Sequence, residues 1–483
     1  MRILLIKPFP ELLVARRLQE GFLHLEPLEL EIVAGGIPED NEIKIVDLSL
    51  EKEPLAVFHK ALREWLPDLV GFGGYSSNVD VVRRLAGIAK KIHPRVITVA
   101  GGIHATLLPE DYGVKDIDII VRGEGGVVLR EIVRRFKNRE PLFFGNCALS
   151  PQDPDFPQKA KLAPPVYPKP EEIPLPRREL VDRSRYFCVW TSSDTGRLKT
   201  MFPRVASLRT SIGCSFSCSF CVIPYLMHGK YLQRKPEDVV EEIAGIKEDY
   251  IYFVDDEMFL DMERTRRIAE LLLKARIKKK YISWARSDTI VRHHEVFQFW
   301  KKVGLDTLYV GLESMDESRL TEYKKRLSVE INRKAIDILR AIGITLHAAF
   351  IVHPDFNPED FWLLEKEILD ICPAEVTFTV LSPSPATPFW QEHKHKFICD
   401  PYRFYDCMHS ILPTRLPLKR FYRHFSRLTQ LALRNNPLRL NKVRIPLRDI
   451  IRAIYHGTRY IIALQLIYRD YPLSVIRQNE EYR

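Results

Sequence analysis

Ser211-Ile212-Gly213-Cys214-Ser215-Phe216-Ser217-Cys218-Ser219-Phe220-Cys221 is the stretch on which the reading of this chain turns. It sets three thiols in a C-x3-C-x2-C spacing, in a Ser/Gly-rich loop rather than an apolar run, so three unrelated core cysteines are a poor account of it. Three thiolates so spaced can hold three irons of a [4Fe–4S] cube, which ordinarily takes four cysteines. Cys188 and Cys372 lie far off in sequence, so the fourth iron would stay open to a substrate or cofactor. The rival is a zinc site with His228 as fourth ligand.

Downstream of this loop the strand-like runs 250–254, 281–286, 307–311, 345–352 and 375–381 follow a first one at 204–212. Helical patterns over 236–246, 264–275, 328–342 and 358–371 separate them. Six βα units predict a partial barrel with its site at the carboxyl ends of the strands. Upstream, β-branched runs at 2–7, 43–47, 69–73, 96–101 and 118–123 alternate with helices such as 79–92, which predicts a doubly wound parallel sheet. Ligands on such sheets sit beyond the strand carboxyl ends. Those ends carry Gly73-Gly74-Tyr75-Ser76-Ser77, Gly101-Gly102-Ile103-His104-Ala105-Thr106 and Gly123-Glu124-Gly125-Gly126. Ten prolines between 141 and 176 make that stretch a linker or wrapping arm. The expected division is an α/β domain at 1–140, a Pro-rich linker at 141–200, a (β/α)6 partial barrel at 201–395 and a basic helical region at 396–483.

The 483 residues are 46% apolar and 28% charged, which excludes wholesale disorder. No apolar run approaches the ~18–20 residues of a membrane span, and residues 1–8 turn charged too soon for a signal peptide. A cytoplasmic chain is therefore expected, where eight cysteines point to a metal site rather than a disulfide framework. The net charge of +10 is unevenly placed: residues 411–483 hold fifteen Lys/Arg against four Asp/Glu, leaving the rest near neutral. On a helical wheel Leu418, Phe421, Tyr422, Phe425, Leu428 and Ala432 share one face, and Lys419, Arg420, Arg423, Arg427 and Arg434 gather opposite. A cationic amphipathic helix predicts contact with an anionic membrane surface, or packing of the apolar face on the barrel.

The cysteine motif resembles the signature of the radical S-adenosylmethionine superfamily, C-x3-C-x-aromatic-C, with Phe220 as the aromatic. The resemblance implies that Cys214, Cys218 and Cys221 ligate the cluster and that its open iron chelates S-adenosylmethionine. One electron, from a flavodoxin- or ferredoxin-type reductant, then cleaves the sulfonium to a 5′-deoxyadenosyl radical. It further implies S-adenosylmethionine contacts from Phe220, Asp255, Asp256, Glu257, Glu313 and Ser314, with Arg286 pairing the methionyl carboxylate. Read as residues alone, Asp255 and Ser314 are equally helix caps.

The first domain has no G-x-G-x-x-G after residues 2–7, against a dinucleotide fold. It resembles the cobalamin-binding module fused to radical enzymes, which implies corrin contacts from Tyr75, Ser76, Ser77, Gly101, Gly102, His104 and Glu124. The D-x-H-x-x-G motif of cobalamin mutases is absent, so cobalt is expected to be ligated differently or left without a protein ligand below.

Across nearly the whole chain the sequence resembles hopanoid C-3 methylases, through Phe350-Ile351-Val352-His353-Pro354-Asp355-Phe356, Phe378-Thr379-Val380-Leu381-Ser382-Pro383 and Leu416-Pro417-Leu418-Lys419-Arg420-Phe421-Tyr422. It departs from them at Ser384-Pro385-Ala386-Thr387 and at His353. The resemblance implies a cobalamin-dependent radical methyltransferase acting on an unactivated carbon of a polyisoprenoid lipid. One S-adenosylmethionine serves as methyl source and a second as radical source. A cyclisation or carbon–carbon bond formation with the same cofactors is the first alternative. An RNA-modifying enzyme is the second; methylthiotransferases of that kind carry three cysteines in the first domain, whereas the only cysteine of this chain before Pro151 is Cys147. Nucleic acid is therefore not an expected partner.

Overall fold

The structure, a computed structural model, describes residues 1–163, 167–191, 200–434 and 445–481. The chain forms two compact units, Met1–Glu11 with Glu26–Arg185, and Leu12–Leu25 with Tyr186–Arg483.

The first unit is a six-stranded sheet in the order Glu42–Asp47, Arg2–Lys7, Leu69–Gly73, Ile97–Gly101, Ile119–Val121, Ala148–Leu149. The first five strands run parallel and the last is antiparallel. Ile3, Leu4, Leu5 and Ile6 are all at most 1% exposed, as expected of a parallel strand covered on both faces. Helices Pro54–Trp65 and Val79–Ile92 cover one face, and Leu28–Gly36 and Gly125–Asn138 the other. Part of the Pro-rich stretch wraps this unit. It supplies the edge strand Ala148–Leu149 and a short helix, Phe156–Ala160, whose end residues sit in the core.

The second unit is built on six parallel strands in sequence order: Val205–Leu208, Tyr250–Phe253, Lys280–Ala285, Leu305–Glu313, Thr345–Val352 and Glu375–Val380. The connecting helices, among them Met262–Lys274, Val329–Ile342 and Pro358–Ile371, bury one large apolar core against them. One expected element is divided. The strand read over 204–212 ends at Leu208, and Ser211–Gly213 leaves the sheet to pair antiparallel with Tyr231–Gln233. At the corner, the Thr210 N–H and hydroxyl both donate to the buried Asp255 carboxylate. The early segment Leu12–Leu25 belongs here too. Its helix Leu13–Gly21 packs on the helix Leu447–Leu466, and Leu23–His24 pairs with Phe187–Cys188.

The helix Leu418–Arg434 has the extent read from the sequence, and of the two expected fates of its apolar stripe the structure shows packing in the core, not an open face. Leu418, Phe421, Tyr422, Phe425 and Leu428 are 0–2% exposed within the main core, with Phe421 edge-on to Phe361 at 5.5 Å. That stripe cannot enter a bilayer. Periodicity finds an apolar face but does not say what covers it. Its cations remain outside, Arg427 paired with Glu365 at 2.9 Å. Among the described residues, no helix is long and apolar enough to cross a membrane.

Candidate active site and cofactor sites

The cysteine loop begins at Gly213, whose φ of +93° belongs to the left-handed side; a Cβ there would stand 2.2 Å from the Lys230 carbonyl oxygen. Gly213 N–H donates to the Asp256 carboxylate at 2.8 Å. Downstream, Ser219 N–H donates to the Tyr323 carbonyl at 3.1 Å, and Ser384 Oγ donates to the Phe220 carbonyl at 2.7 Å. The turn that departs from the family pattern, Ser384–Thr387 in sequence, thus touches the loop directly. Cys214, Cys218 and Cys221 are all partly exposed. Burial pushes the Cys214 thiol up to about 11 and the Cys221 thiol up to about 12, with Cys218 adding to both.

The carboxyl ends of the next three strands surround this loop with charge. Arg286 is 6% exposed and lies 3.8 Å over the Phe216 ring. It donates from Nε to Asp288 at 3.0 Å, from Nη2 to the Lys325 carbonyl at 2.8 Å, and from Nη1 towards Cys218 Sγ at 3.7 Å. Lys325 Nζ donates to Glu313 at 2.7 Å, and Glu313 sits at a φ of +60° where the strand register shifts. Glu257 is 3% exposed, and burial pushes its carboxyl up to about 8 against the pull of Arg286 and Lys325. Ser314 accepts from Asp316 N–H at its hydroxyl, and its carbonyl accepts from the buried Asn332 amide at 3.2 Å.

So Phe220, Asp256, Glu257, Arg286, Glu313 and Ser314 stand at one end of the sheet, as read. Asp255 does not open towards that end. Its carboxylate is occupied by Thr210 and Ser211 and braces the loop from behind. Nor does it cap a helix; Glu257 and Asp261 accept the first N–H groups there.

In the first unit, three loops at strand carboxyl ends are stitched into a ledge. Gly102 has a φ of +104°, and a Cβ on it would meet the Gly74 carbonyl oxygen at 2.5 Å, so the two loops touch backbone to backbone. Thr106 Oγ1 donates to the Gly102 carbonyl at 2.8 Å and accepts from Gly123 N–H at 3.0 Å. His104 is 1% exposed, with Nδ1 3.0 Å from Ser76 Oγ and Nε2 2.9 Å from Asp111 Oδ2. Both ring nitrogens are therefore held from within. Above them, Tyr75 is 60% exposed, Ser77 and Gly101 are half-buried, and Glu124 is buried at the head of its helix.

Residues 208–368 match the Radical SAM superfamily and residues 22–133 the B12 binding domain. The chain is 32% identical to the hopanoid C-3 methylase of Methylococcus capsulatus over 409 residues, 83% of this chain and 75% of that protein. The chain belongs to the cobalamin-binding radical S-adenosylmethionine enzymes. Its fold is that of two solved members. The cobalamin-dependent S-adenosylmethionine radical enzyme OxsB, with aqua-cobalamin and S-adenosylmethionine bound, superposes with a TM-score of 0.67 at 17% identity, over 99% of this chain and 74% of that one. The radical S-adenosylmethionine methyltransferase TsrM from Kitasatospora setae gives 0.61 at 15%, over 100% and 99%. A [4Fe–4S] cluster, S-adenosylmethionine and cobalamin are the cofactors of this radical enzyme, which is of the methyltransferase type.

The barrel of this radical enzyme carries a wall that its sequence did not announce. Ile251, Phe253, Leu308, Val310, Leu346 and Ala348 pack under the helices, so by strand alternation Tyr252, Trp284, Tyr309 and His347 line the inner face. Their rings run from strand to strand, with centroids 6.5, 3.8 and 4.5 Å apart. At the end of the row His347 bonds Thr377 at 2.7 Å and Glu375 at 3.0 Å, and Glu375 accepts from Thr191 at 2.6 Å. In sequence these are alternate strand residues of a buried type, indistinguishable from core. Lys325 and Asn332 were missed for a similar reason, lying in helix and loop patterns with no signature of their own.

Proposed function

We propose that Cys214, Cys218 and Cys221 hold the [4Fe–4S] cluster and that the enzyme methylates an unactivated carbon of a polyisoprenoid lipid of hopanoid type. The donor chemistry fits: three thiols on one pinned loop, with the Arg286 guanidinium beside Cys218 to meet the negative charge of a thiolate-bound cluster. When bound, the cluster and S-adenosylmethionine supply a 5′-deoxyadenosyl radical, and cobalamin supplies the methyl group.

The chain's own residues do the positioning. Arg286 offers a guanidinium to the methionyl carboxylate, and Glu313 and Ser314 offer oxygens to the ribose. Glu257, whose carboxyl burial pushes up, accepts from Phe259 N–H at 3.3 Å and stands beside Arg286 and Lys325 at the end of its strand. Asp255 and Asp256 fix the corner and the first glycine of the loop. In the first unit the Gly74–Gly102 contact keeps the ledge flat, and Tyr75, Ser77, Gly101 and Glu124 border it for the corrin. His104 is a support for Ser76 rather than a cobalt ligand, because both of its nitrogens are occupied.

The substrate class rests on the inner wall of the barrel. Tyr252 is packed under Cys188 and Trp190, so the partly exposed part of the row is Trp284, Tyr309 and His347. Two rings ending at the polar His347–Glu375 pair suit a large apolar molecule with a polar terminus. A saturated carbon has no acidic hydrogen for a general base, so only radical abstraction opens it. The likeness to hopanoid C-3 methylase supports the same class. Anaerobic co-expression with a hopanoid-producing pathway should give a polycyclic lipid heavier by one CH2. If the enzyme forms 5′-deoxyadenosine from S-adenosylmethionine while no lipid gains that mass, the lipid assignment fails.

A further inference from the structure

With the Leu418–Arg434 stripe buried, most of the exposed apolar residues of the C-terminal region lie on another helix. Along Leu447–Leu466, Leu447 is 71% exposed, Ile451 60%, Ile454 62%, Tyr455 55% and Ile462 49%. Spaced by three, four or eight, they fall on one side of a helix about 30 Å long, shared with the exposed Thr458 and, at the far end, Gln465. The opposite face is firmly held: Gly457, Ala463 and Leu464 are buried, and the helix packs on both Leu13–Gly21 and Leu418–Arg434. Single exposed aliphatics are ordinary, whereas a continuous outward stripe is not.

The charges around the stripe select its partner. Arg448 is exposed beside it, 3.5 Å from the Asp449 carboxylate, and Arg459 flanks it, paired with Glu20 at 3.7 Å. The helix has one carboxylate, Asp449, and it is turned inward, 5% exposed, accepting from Met201 N–H at 2.8 Å. Asp470, just beyond the helix, is paired with the buried His409. The adjoining helix Leu418–Arg434 keeps Lys419, Arg420 and Arg423 exposed. Aliphatics in a line, cations at the flanks and no carboxylate on the outer face suit the boundary between headgroups and acyl chains. We propose that the outer face of the Leu447–Leu466 helix docks on an anionic lipid bilayer. This would bring the enzyme to a bilayer-borne substrate. The proposal leans on the lipid reading above only for that purpose, since docking is measured without turnover.

The test uses the full-length protein and vesicles of phosphatidylcholine with and without phosphatidylglycerol, read by flotation. The parent should bind the anionic vesicles, with binding weakened by salt. Ile451→Gln with Ile454→Gln and Ile462→Gln should reduce binding about tenfold or more. The three side chains are exposed, so melting temperature and cobalamin content should be unchanged. The same variant should still turn over detergent-dispersed substrate, so failure of docking and failure of the lipid assignment give different results. Three outcomes overturn the proposal. The parent ignores anionic vesicles, or the triple variant binds them as the parent does. Alternatively the parent is a dimer that the triple variant dissociates, which makes the stripe an interface between copies.

Discussion

Alanine in place of any one of Cys214, Cys218 or Cys221 is expected to remove cluster iron and, with it, all cleavage of S-adenosylmethionine. The three thiols occupy one short loop with no fourth cysteine in it, so each would hold a different corner of the cube. Loss of one leaves two irons open instead of one, and the remaining pair cannot retain the cluster. Iron and sulfide per chain should fall to background, and 5′-deoxyadenosine should be undetectable after chemical reduction. Cys188→Ala and Cys372→Ala should keep both, because neither thiol lies in the loop. Anaerobically reconstituted parent that carried one zinc and no iron would contradict the assignment.

His409→Leu is expected to destabilise the C-terminal region by about 3–5 kcal/mol, the usual consequence of leaving a buried charge without its partner. His409 is fully buried between Asp406 at 2.9 Å and Asp470 at 3.1 Å. Burial opposes its charge, but the Asp406 carboxylate and the hydrogen bonds to both aspartates outweigh that, so its pKa is pushed from the usual 6.5 up to about 9. A raised folded-state pKa stabilises fully below the unfolded value and loses its effect as pH rises through the folded one. The histidine should thus contribute roughly 3 kcal/mol below about pH 6.5, fading by about pH 9. Asp406, held low by His409 despite its burial, works in the opposite sense and matters only in acid. The parent's melting temperature should fall between about pH 6 and about pH 10, and that of the leucine variant should start low and change little. A parent melting temperature that is flat across this range would contradict the account.

Both sheets were legible because their strands are β-branched runs punctuated by glycine at the ligand-facing ends, as at Gly73-Gly74 and Gly101-Gly102. The cysteine spacing was legible for a different reason: few arrangements other than a cluster need it. What escaped was decided by tertiary partners. Residues 12–25 carry an ordinary amphipathic helix, and nothing local says that it belongs with Leu447–Leu466. Thr210 reads as strand until Asp255 pulls it out of the sheet. His104 reads as a corrin contact until Ser76 and Asp111 are seen on its two nitrogens. The two C-terminal helices make the same point together. Leu418–Arg434 has the cleaner amphipathic wheel and buries its apolar face, while Leu447–Leu466, apolar on several sides, leaves aliphatics outside.

The central claim is that one chain couples a deoxyadenosyl radical to cobalamin-borne methyl transfer. Its most direct test is to incubate the reduced, cobalamin-loaded enzyme with substrate lipid and S-adenosylmethionine carrying a CD3 group. The account predicts that the lipid acquires the CD3 group, with 5′-deoxyadenosine and S-adenosylhomocysteine formed in equal amounts alongside it. Formation of 5′-deoxyadenosine without S-adenosylhomocysteine, and with no CD3 in any product, would contradict it and point to a radical reaction other than methyl transfer.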